Sequence, residues 1–414
     1  MSFARFGLPP KMIRLDDYVR VVGAPEIEEM RALARRLEGR TVKMVNSTAL
    51  GGGVAEILNR LIPLMQDVGV ATRWEVITGG DDFFEVTKGF HNALHGVPYE
   101  VRPQAFEIFD AYQEQNLAQM RFDEDFIVIH DPQPAGLIRA RRGGQPDGQH
   151  WVWRCHIDVS RPNREVWEFL LKYVQQYDAM MISSPNFTRT VPIPQYLWYP
   201  AIDPLAQKNI ELEASFIAQV LEQFKLDPQR PILTQISRFD RLKDPLGVIK
   251  AYRLVKRYHD CQLVLAGGGA KDDPEGGQVL AEVQAAANND PDIRLLDLPP
   301  WSALEINALQ RASTIIIQKS LQEGFGLTVT EGLWKKKPVV AGNVGGIPLQ
   351  VIHKVTGMLA QSVEGCAYQI RYLLANPEIA KRLGENGHEH VKENFLITRN
   401  LKRYLLLFHC LGGC

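Results

Sequence analysis

The chain has 414 residues, 45% of them hydrophobic and 23% charged, with a formal net charge of −1 at neutral pH. This length is too great for one hydrophobic core and predicts two domains of about 200 residues each. The balanced charge argues against a nucleic acid or an acidic membrane surface as a partner, and the apolar stretches are too short to span a bilayer.

Residues 1–38 form a polar, mostly helical lead-in without the apolar core of a signal peptide. The first predicted strand, residues 41–47, ends in the glycine triplet Gly51, Gly52 and Gly53, and a helix over 54–68 follows. Ligands of open α/β sheets bind beyond the carboxyl ends of the strands, often at such a turn. The spacing is not G-x-G-x-x-G, so a nicotinamide site is not favoured. A tight βα turn without a ligand is the alternative interpretation.

Strands are also predicted over residues 73–78, 126–129, 151–155 and 179–184, with a helix over 103–117. The strand over 126–129 leads directly into His130 and Asp131, and the strand over 151–155 leads into His156 and Asp158. Because parallel strands end at the same edge of a sheet, these side chains should lie on one rim with the glycine triplet. The alternative is that they are ordinary turn or capping residues.

Three prolines within residues 193–204 predict a linker over about 190–206, and a helix reaching residue 224 opens the second half. A strand over 231–236 then leads into a loop with Arg238 and Lys243, where two cations could neutralise a departing diphosphate. In enzymes with a DxD motif, a metal ion normally neutralises the diphosphate. No convincing DxD motif is found in this sequence, because Asp81 and Asp82 are expected only in a Gly-Gly-Asp-Asp turn. Strands over 262–266 and 293–298 follow, and Leu298 is expected to border a nucleotide base.

Residues 314–348 are the most informative stretch of the chain. A buried strand is followed by the turn Glu323-Gly324-Phe325-Gly326, a helix over 327–334 and a further strand over 339–341. Glycines let the backbone approach a ligand closely, and the free N–H groups of a first helical turn attract anions. Helices over 364–375, 377–382 and 396–409 complete the chain. An ordinary α/β crossover with two solvated acids, Glu323 and Glu331, is the alternative interpretation.

The pair Glu323 and Glu331, with Gly-Phe-Gly-Leu between them and Gly345-Gly346-Ile347-Pro348 after them, resembles the E-x7-E signature of retaining, nucleotide-sugar-dependent glycosyltransferases. These are enzymes of the glycogen synthase and sucrose synthase type, glycosyltransferase family 4. The resemblance implies an α/β fold of the GT-B architecture, with two Rossmann-like domains facing each other across a cleft. It further implies an acceptor domain over 1–200, a donor domain over 201–395 and a helix over 396–414 that returns to the first domain.

The same resemblance implies roles for individual residues. The catalytic group would comprise Glu323, His156, Arg238 and Lys243. The donor would be bound by Gly52, Gly53, Arg238, Lys243, Leu298, Gly324, Phe325, Gly326, Leu327 and Glu331. The acceptor would be bound by Gly51, Gly52, His130, Asp131, His156 and Asp158. Neither a bound metal nor a tightly bound cofactor is expected, although free Mg²⁺ could accompany the diphosphate.

The His130-Asp131 and His156-Ile157 pairs most resemble the trehalose glycosyltransferring synthases. That resemblance implies transfer of glucose from ADP- or UDP-glucose to free glucose, forming α,α-trehalose reversibly. A trehalose-phosphate or sucrose-phosphate type of enzyme, a glycogen synthase type, a nucleotide-sugar epimerase and a non-catalytic sensor remain open. The expected partners are small sugars, with neither nucleic acid nor membrane. Scattered cysteines without a CxxC pair predict reduced thiols in a cytoplasmic protein, and a homodimer stays one option.

The spacing of the two glutamates also bears on stereochemistry. Retaining hydrolases use two carboxylates about 5 Å apart. Eight residues along one helix separate Glu323 from Glu331 by roughly 12 Å, at a rise of about 1.5 Å per residue. They cannot form such a pair, and we therefore hypothesise retention without a covalent intermediate.

Overall fold

Two parallel sheets of six strands form the frame of the protein in the computed structural model, which describes residues 13–49, 52–143, 148–268 and 274–413. The strands of the first sheet are β1 (Thr41–Asn46), β2 (Ala71–Val76), β3 (Phe126–His130), β4 (His150–Arg154), β5 (Ala179–Ile182) and β6 (Gln195–Leu197). Those of the second are β7 (Ile232–Ile236), β8 (Gln262–Gly267), β9 (Ile293–Asp297), β10 (Ile315–Gln318), β11 (Val339–Gly342) and β12 (Met358–Ala360). The strand orders are β2-β1-β3-β4-β5-β6 and β12-β11-β10-β7-β8-β9.

Helices cover both faces of each sheet. In the first half they are α1 (Val19–Val22), α2 (Ala24–Arg35), α3 (Gly52–Asp67), α4 (Asp81–Leu94), α5 (Ala105–Gln119) and α6 (Arg164–Val174). In the second half they are α7 (Ala214–Gln223), α8 (Pro245–Lys256), α9 (Pro274–Ala287), α10 (Ala303–Ala312), α11 (Leu327–Trp334), α12 (Ile347–Gln350), α13 (Val363–Ala375), α14 (Pro377–Asn394) and α15 (Ile397–Gly412). None of these helices combines the length and the apolar character that crossing a membrane requires.

The apolar strands explain why each sheet is covered on both faces. Every residue of β3 is buried, and successive side chains of a strand point to opposite faces. Ile127 and Ile129 pack with α4, α5 and α6, whereas Phe126 and Val128 pack with α2, α3 and α15. A continuous apolar run of this kind is stable only between two layers of helices.

Strand pairing brings together segments that are distant in sequence. Strand β3 pairs with β4 in parallel, which sets the residues after His130 beside those after Arg154. Strand β10 pairs with β7, which sets the turn containing Glu323 beside the loop containing Lys243. In each sheet, the edge at the carboxyl ends of the strands therefore collects the loops that contain the predicted site residues.

The chain crosses between the two halves at two adjacent segments. Ile202 N–H donates to the Phe395 carbonyl at 2.9 Å, and Ile397 N–H donates to the Ile202 carbonyl at 2.9 Å. Beyond this crossing, α15 packs on α2 and α3 of the first half, where Phe408 stacks on Phe126 with ring centroids 4.6 Å apart. The predicted architecture of two α/β halves, with a last helix that returns to the first half, is confirmed.

Two local predictions were wrong. Asp81 and Asp82 open helix α4 instead of lying in a turn, because carboxylates in a first helical turn complement the helix dipole. The helix predicted over 377–382 continues to Asn394. Its glycines look like helix breakers, but they serve close packing. A Cβ at Gly384 would lie 2.1 Å from the Lys336 carbonyl oxygen.

Candidate active site

The turn after β10 holds a carboxylate, that of Glu323, which has two polar side-chain partners. Lys243 Nζ donates to Glu323 Oε2 at 2.7 Å, and Ser320 Oγ donates to the same oxygen at 3.1 Å. Glu323 is buried, so this pair lies in an environment where an ion pair is far less screened than at the surface. The charge of the carboxylate is therefore fixed in place by a residue from the neighbouring loop.

Two glycines of the following loop explain how this turn is held. Gly345 has φ +55°, and a Cβ there would lie 1.6 Å from the Glu323 carbonyl oxygen. A Cβ at Gly346 would lie 2.8 Å from the Gly324 carbonyl oxygen. Only glycine fits at either position, so the Gly345-Gly346 step packs directly against the backbone of the turn that contains Glu323.

The rest of the turn presents backbone to the cleft. The Phe325 side chain is buried beside Phe395, with ring centroids 5.5 Å apart, and the Gln350 amide donates to its carbonyl. Gly326 has φ +84° and precedes helix α11, which begins at Leu327 as predicted. Backbone N–H groups at the start of this helix are suited to an anion.

Glu331 lies one turn into α11 and is almost fully buried. Gln310 Nε2 donates to Glu331 Oε2 at 3.1 Å, and Lys208 Nζ lies 3.7 Å from Glu331 Oε1. The same ammonium lies 2.9 Å from Glu56 Oε2 on α3. Glu331 thus belongs to a charged group, centred on Lys208, that joins both halves of the chain.

The loop after β7 carries the two predicted cations. Asp240 caps the helical turn Arg241–Lys243 by accepting from Leu242 N–H. Lys243 thereby points to Glu323, whereas the half-exposed Arg238 lies 3.5 Å from Asp240 Oδ2. Asp244 has φ +51° and caps helix α8 by accepting from Gly247 N–H.

Close backbone packing joins this loop to the expected nucleotide end. A Cβ at Gly267 would lie 1.8 Å from the Ser237 carbonyl oxygen, and a Cβ at Gly268 would lie 2.3 Å from the Leu298 carbonyl oxygen. Glycine is therefore required where β8 ends. The loops after β7, β8 and β9 form one continuous surface that includes Leu298.

The first half contributes the residues after β3 and β4. His130 Nδ1 and His156 Nε2 are 3.1 Å apart in a hydrogen bond. Asp131 Oδ1 accepts from His156 N–H at 2.7 Å, and Asp131 has φ +67°. A non-glycine residue in this left-handed conformation stores strain of the kind that clusters at functional sites. The predicted convergence of His130, Asp131 and His156 is therefore present.

A buried arginine lies beneath this group. Arg154 is 1% exposed, and its guanidinium donates to the Cys155 and Trp198 carbonyls and to Ser183 Oγ. Its sequence context gave no sign of this role, because an arginine at the end of a strand is usually exposed. The buried guanidinium places a positive charge below His130, Asp131 and His156, which we call the first wall of the cleft.

Burial governs the protonation of the first wall. It raises the pKa of Asp131 to about 6, although the His156 N–H and Arg154 both oppose this. Burial and then the Arg154 charge lower the pKa of His130 to about 3, and the pKa of His156 is also held well below its usual value. Both imidazoles are therefore neutral at neutral pH, and one must donate to the other.

The second wall of the cleft is formed by the turn over 323–326 and the start of α11. It touches the first half at two glycine positions. A Cβ at Gly324 would lie 2.8 Å from the His156 carbonyl oxygen, and a Cβ at Gly53 would lie 3.2 Å from Leu327 Cδ1. The turn after β10 in the second half therefore approaches the histidine loop of the first half. The residues predicted to bind the donor and those predicted to bind the acceptor face one another across a narrow gap.

A histidine pair at the C-terminal end of α4 was not predicted from the sequence. The rings of His91 and His95 are 4.8 Å apart between centroids. Burial lowers the pKa of His91 to about 3, with smaller contributions from His95, Arg238 and Lys243. Burial and then Lys243 lower the pKa of His95 to about 4. The pair thus lies within electrostatic reach of the loop that carries Arg238 and Lys243. Its i, i+4 spacing was the available signal, but helix α4 had not been predicted.

The remaining predicted residues are placed as follows. Gly52 begins α3, and Gly51 lies outside the described residues. The Asp158 carboxylate accepts from Ser160 N–H at 2.9 Å, as in an ordinary turn. Within the described ranges, no three His, Cys, Asp or Glu side chains are grouped as metal ligands.

The chain was compared with known proteins. Residues 44–189 match the family model described as trehalose synthase, N-terminal domain, and residues 217–390 match the model of glycosyl transferases group 1. The chain is 42% identical over 413 residues to the trehalose synthase of Pyrococcus horikoshii, with 97% of each chain covered. It is 44% identical over 406 residues to that of Rubrobacter xylanophilus, with 96% of this chain and 97% of the relative covered.

A solved structure gives a likeness in fold. The sucrose-phosphate synthase of Thermosynechococcus elongatus aligns with a TM-score of 0.69 at 18% identity, over 90% of this chain and 99% of that chain. The fold and the matched models define a glycosyltransferase of the GT-B class. Because of its 42% and 44% identity to trehalose synthases over nearly their whole length, the chain belongs to the trehalose synthase family.

Proposed function

We propose that this glycosyltransferase moves glucose from ADP- or UDP-glucose to free glucose and forms α,α-trehalose in a reversible reaction. Relatives named trehalose synthase over nearly the full length support the product. The observation that carries the proposal is the ion pair between Lys243 and Glu323, which directly adjoins the His156 loop through Gly324. We place the reaction in the cytoplasm, where the free thiols of Cys155 and Cys261 would stay reduced.

The second half would hold the donor. Glu331 would accept hydrogen bonds from the ribose hydroxyls, and the backbone near Leu298 would border the base. Arg238 and Lys243 would neutralise the diphosphate, which free Mg²⁺ could accompany. The half-exposed position of the Arg238 side chain, on the same loop as Lys243, supports this role.

The acceptor would bind at the first wall. Asp131 uses one carboxylate oxygen to accept from His156 N–H, and its other oxygen would accept a glucose hydroxyl. His156 would hydrogen-bond the donor sugar. The hydrogen bond between the two imidazoles allows His130 to hold the His156 ring in place. A wall of neutral imidazoles and one buried carboxylate suits an uncharged sugar better than a sugar phosphate.

The chemistry would retain configuration without a covalent intermediate. The bond between the glucose C1 and the diphosphate oxygen breaks, and a new bond forms between C1 and the acceptor oxygen on the same face. The acceptor proton passes to the departing diphosphate. Lys243 would stabilise the charge that develops on the diphosphate. The pairing of Glu323 with Lys243 supports this path, since a carboxylate neutralised at 2.7 Å is a poor nucleophile.

Product analysis tests the proposal. The enzyme is incubated with ADP-glucose or UDP-glucose, and glucose and glucose 6-phosphate are offered separately. Trehalose from free glucose is expected. Product from the phosphorylated sugar alone would move the enzyme to the sugar-phosphate synthases. Conversion of the donor without any acceptor would indicate an epimerase. A glycosyl adduct trapped on any residue would reject the one-face path.

A further inference from the structure

Lys208 occupies a central position between the two halves of the chain. Its Nζ lies 2.9 Å from Glu56 Oε2 and 3.7 Å from Glu331 Oε1. We call these three residues the Glu56–Lys208–Glu331 bridge. Glu331 is 2% exposed, so its negative charge needs compensation that water cannot supply. Gln310 gives one neutral hydrogen bond, and Lys208 brings the positive charge.

The segment that carries Lys208 is fixed to the second half. Asn307 Nδ2 donates to the Gln207 and Ile210 carbonyls, at 2.8 Å each. Arg311 Nη2 donates to the Ile210 carbonyl at 2.9 Å, and Lys335 Nζ donates to Asn209 Oδ1 at 3.0 Å. Lys208 is therefore flanked on both sides by residues tied to α10 and α11, and it should move with Glu331.

Glu56 belongs to the opposite wall. It lies on α3, three residues after Gly53 and thus next to the glycine turn that faces Leu327. The contact between Lys208 and Glu56 therefore crosses from one half to the other, close to the cleft. Glu331 first, and then Glu56, raise the pKa of Lys208 against the opposing effect of burial, so the ammonium stays charged.

We propose that Lys208 is a positioning residue of the donor site, which orients Glu331 towards the ribose hydroxyls and links that site to Glu56 across the cleft. The inference rests on the proposed function, because the ribose at Glu331 is that of the donor. With the ammonium present, one Glu331 oxygen faces Lys208 and the other faces Gln310, which fixes the plane of the carboxylate. Without it, a buried carboxylate keeps a single neutral partner and loses its fixed orientation.

Nucleotide binding measured by calorimetry tests the inference. ADP and UDP are compared with their 2′,3′-dideoxy analogues, and the ratio of the two dissociation constants reports ribose recognition. In Lys208→Met this ratio should fall at least about fivefold, the scale of one charge-assisted hydrogen bond. Lys208→Arg keeps the charge and should retain most of the ratio. A purely structural role would weaken all four nucleotides equally and would overturn the inference.

Lys256 offers a matched control. Its side chain is 29% exposed, as is that of Lys208, and it also bridges two carboxylates, Asp260 and Asp292. These carboxylates precede β8 and β9 at the edge of the sheet away from the cleft. Lys256→Met should therefore leave the ratio unchanged, whatever it does to the melting temperature. An equal loss of the ratio in Lys256→Met would count against the inference.

Glu56 tests the link across the cleft. Glu56→Gln should weaken nucleotide binding by about two- to threefold in the wild-type background and have no further effect together with Lys208→Met. Additive effects would show that Glu56 acts independently and would overturn the link. If the wild type binds neither ADP nor UDP, the proposed function fails and this inference fails with it. If it binds them and Lys208→Met keeps full ribose discrimination, only the inference fails.

Discussion

The two walls of the cleft hold their carboxylates in opposite ways. In the second half, Glu323 is paired with the Lys243 ammonium at 2.7 Å. In the first half, Asp131 accepts from a backbone N–H at 2.7 Å, and burial raises its pKa to about 6. The second wall, which we call the charged wall, therefore balances its carboxylate with an ion pair, whereas the first wall, which we call the neutral wall, holds its carboxylate with a backbone N–H group. The same functional group, a carboxylate, acquires different chemistry from its surroundings.

The largest expected effect is on the charged wall. Glu323→Ala or Lys243→Ala should lower kcat/KM at least about 100-fold, the scale of losing one major transition-state contact. Because the two side chains are in direct contact, the double variant should lose much less than the product of the two single losses. Steady-state rates with the nucleotide-sugar donor measure this, and circular dichroism checks the fold. Rates within about fivefold of wild type would reject the assignment of these residues.

The contact between the walls can be broken without removing any functional group. Gly324→Ala places a Cβ 2.8 Å from the His156 carbonyl oxygen, so the two walls must separate slightly. A misplacement of this kind should lower kcat by about 10- to 100-fold. Gly277→Ala on α9 is the control, because nothing lies within 4 Å of its Cβ position. Equal activity of the two variants would mean that this approach of the walls does not matter for the reaction.

Asp131→Asn separates activity from stability on the neutral wall. The amide oxygen can still accept from His156 N–H, but the buried charge is gone. Loss of the charged hydrogen bond to the acceptor should reduce kcat/KM for glucose by about 10- to 100-fold. The melting temperature at neutral pH should equal or exceed that of the wild type, since burying the carboxylate charge is costly.

The pH dependence of this variant follows from the raised pKa of Asp131, about 6 against an ordinary value of 3.8. The folded wild type binds more protons than the unfolded chain between these values, so its stability falls as the pH rises from about 4 through 6. The difference in melting temperature should therefore favour Asp131→Asn increasingly over that range. A constant difference from pH 4 to 7 would contradict the buried-charge account.

Sequence predicted the charged wall better than the neutral one. Glycines and acids at fixed spacing located Glu323, Gly324 and Gly326, because only certain residues allow a backbone turn of that kind. Strand periodicity located His130 and His156 at the ends of β3 and β4. These signals lie within short stretches of sequence, so they can be recognised without knowledge of the fold. The assigned roles of these residues stay predictions.

Contacts between distant segments left no such signal. The pairing of Lys208 with Glu331 joins positions more than a hundred residues apart. Arg154 resembles a surface arginine until the fold shows four oxygen acceptors around it. The histidine pair on α4 was missed because two carboxylates and two glycines made the start of that helix look like a turn. Contacts that form only when distant segments pack together could not be predicted from residues that are neighbours in sequence.

The smallest effect is expected from a variant that tests whether a cation faces the neutral wall. A sugar-phosphate enzyme needs a cation at its acceptor, and Arg139 follows shortly after Asp131 in the chain. Arg139 Nη1, however, lies 2.9 Å from Glu114 Oε1, and Nη2 donates to the Asp110 carbonyl at 3.1 Å. Arg139→Gln should therefore change the KM for the acceptor by less than about twofold and lower the melting temperature by a degree or two, as expected for a partly exposed ion pair. A selective rise in the acceptor KM would place this arginine in the acceptor site and favour a phosphorylated substrate.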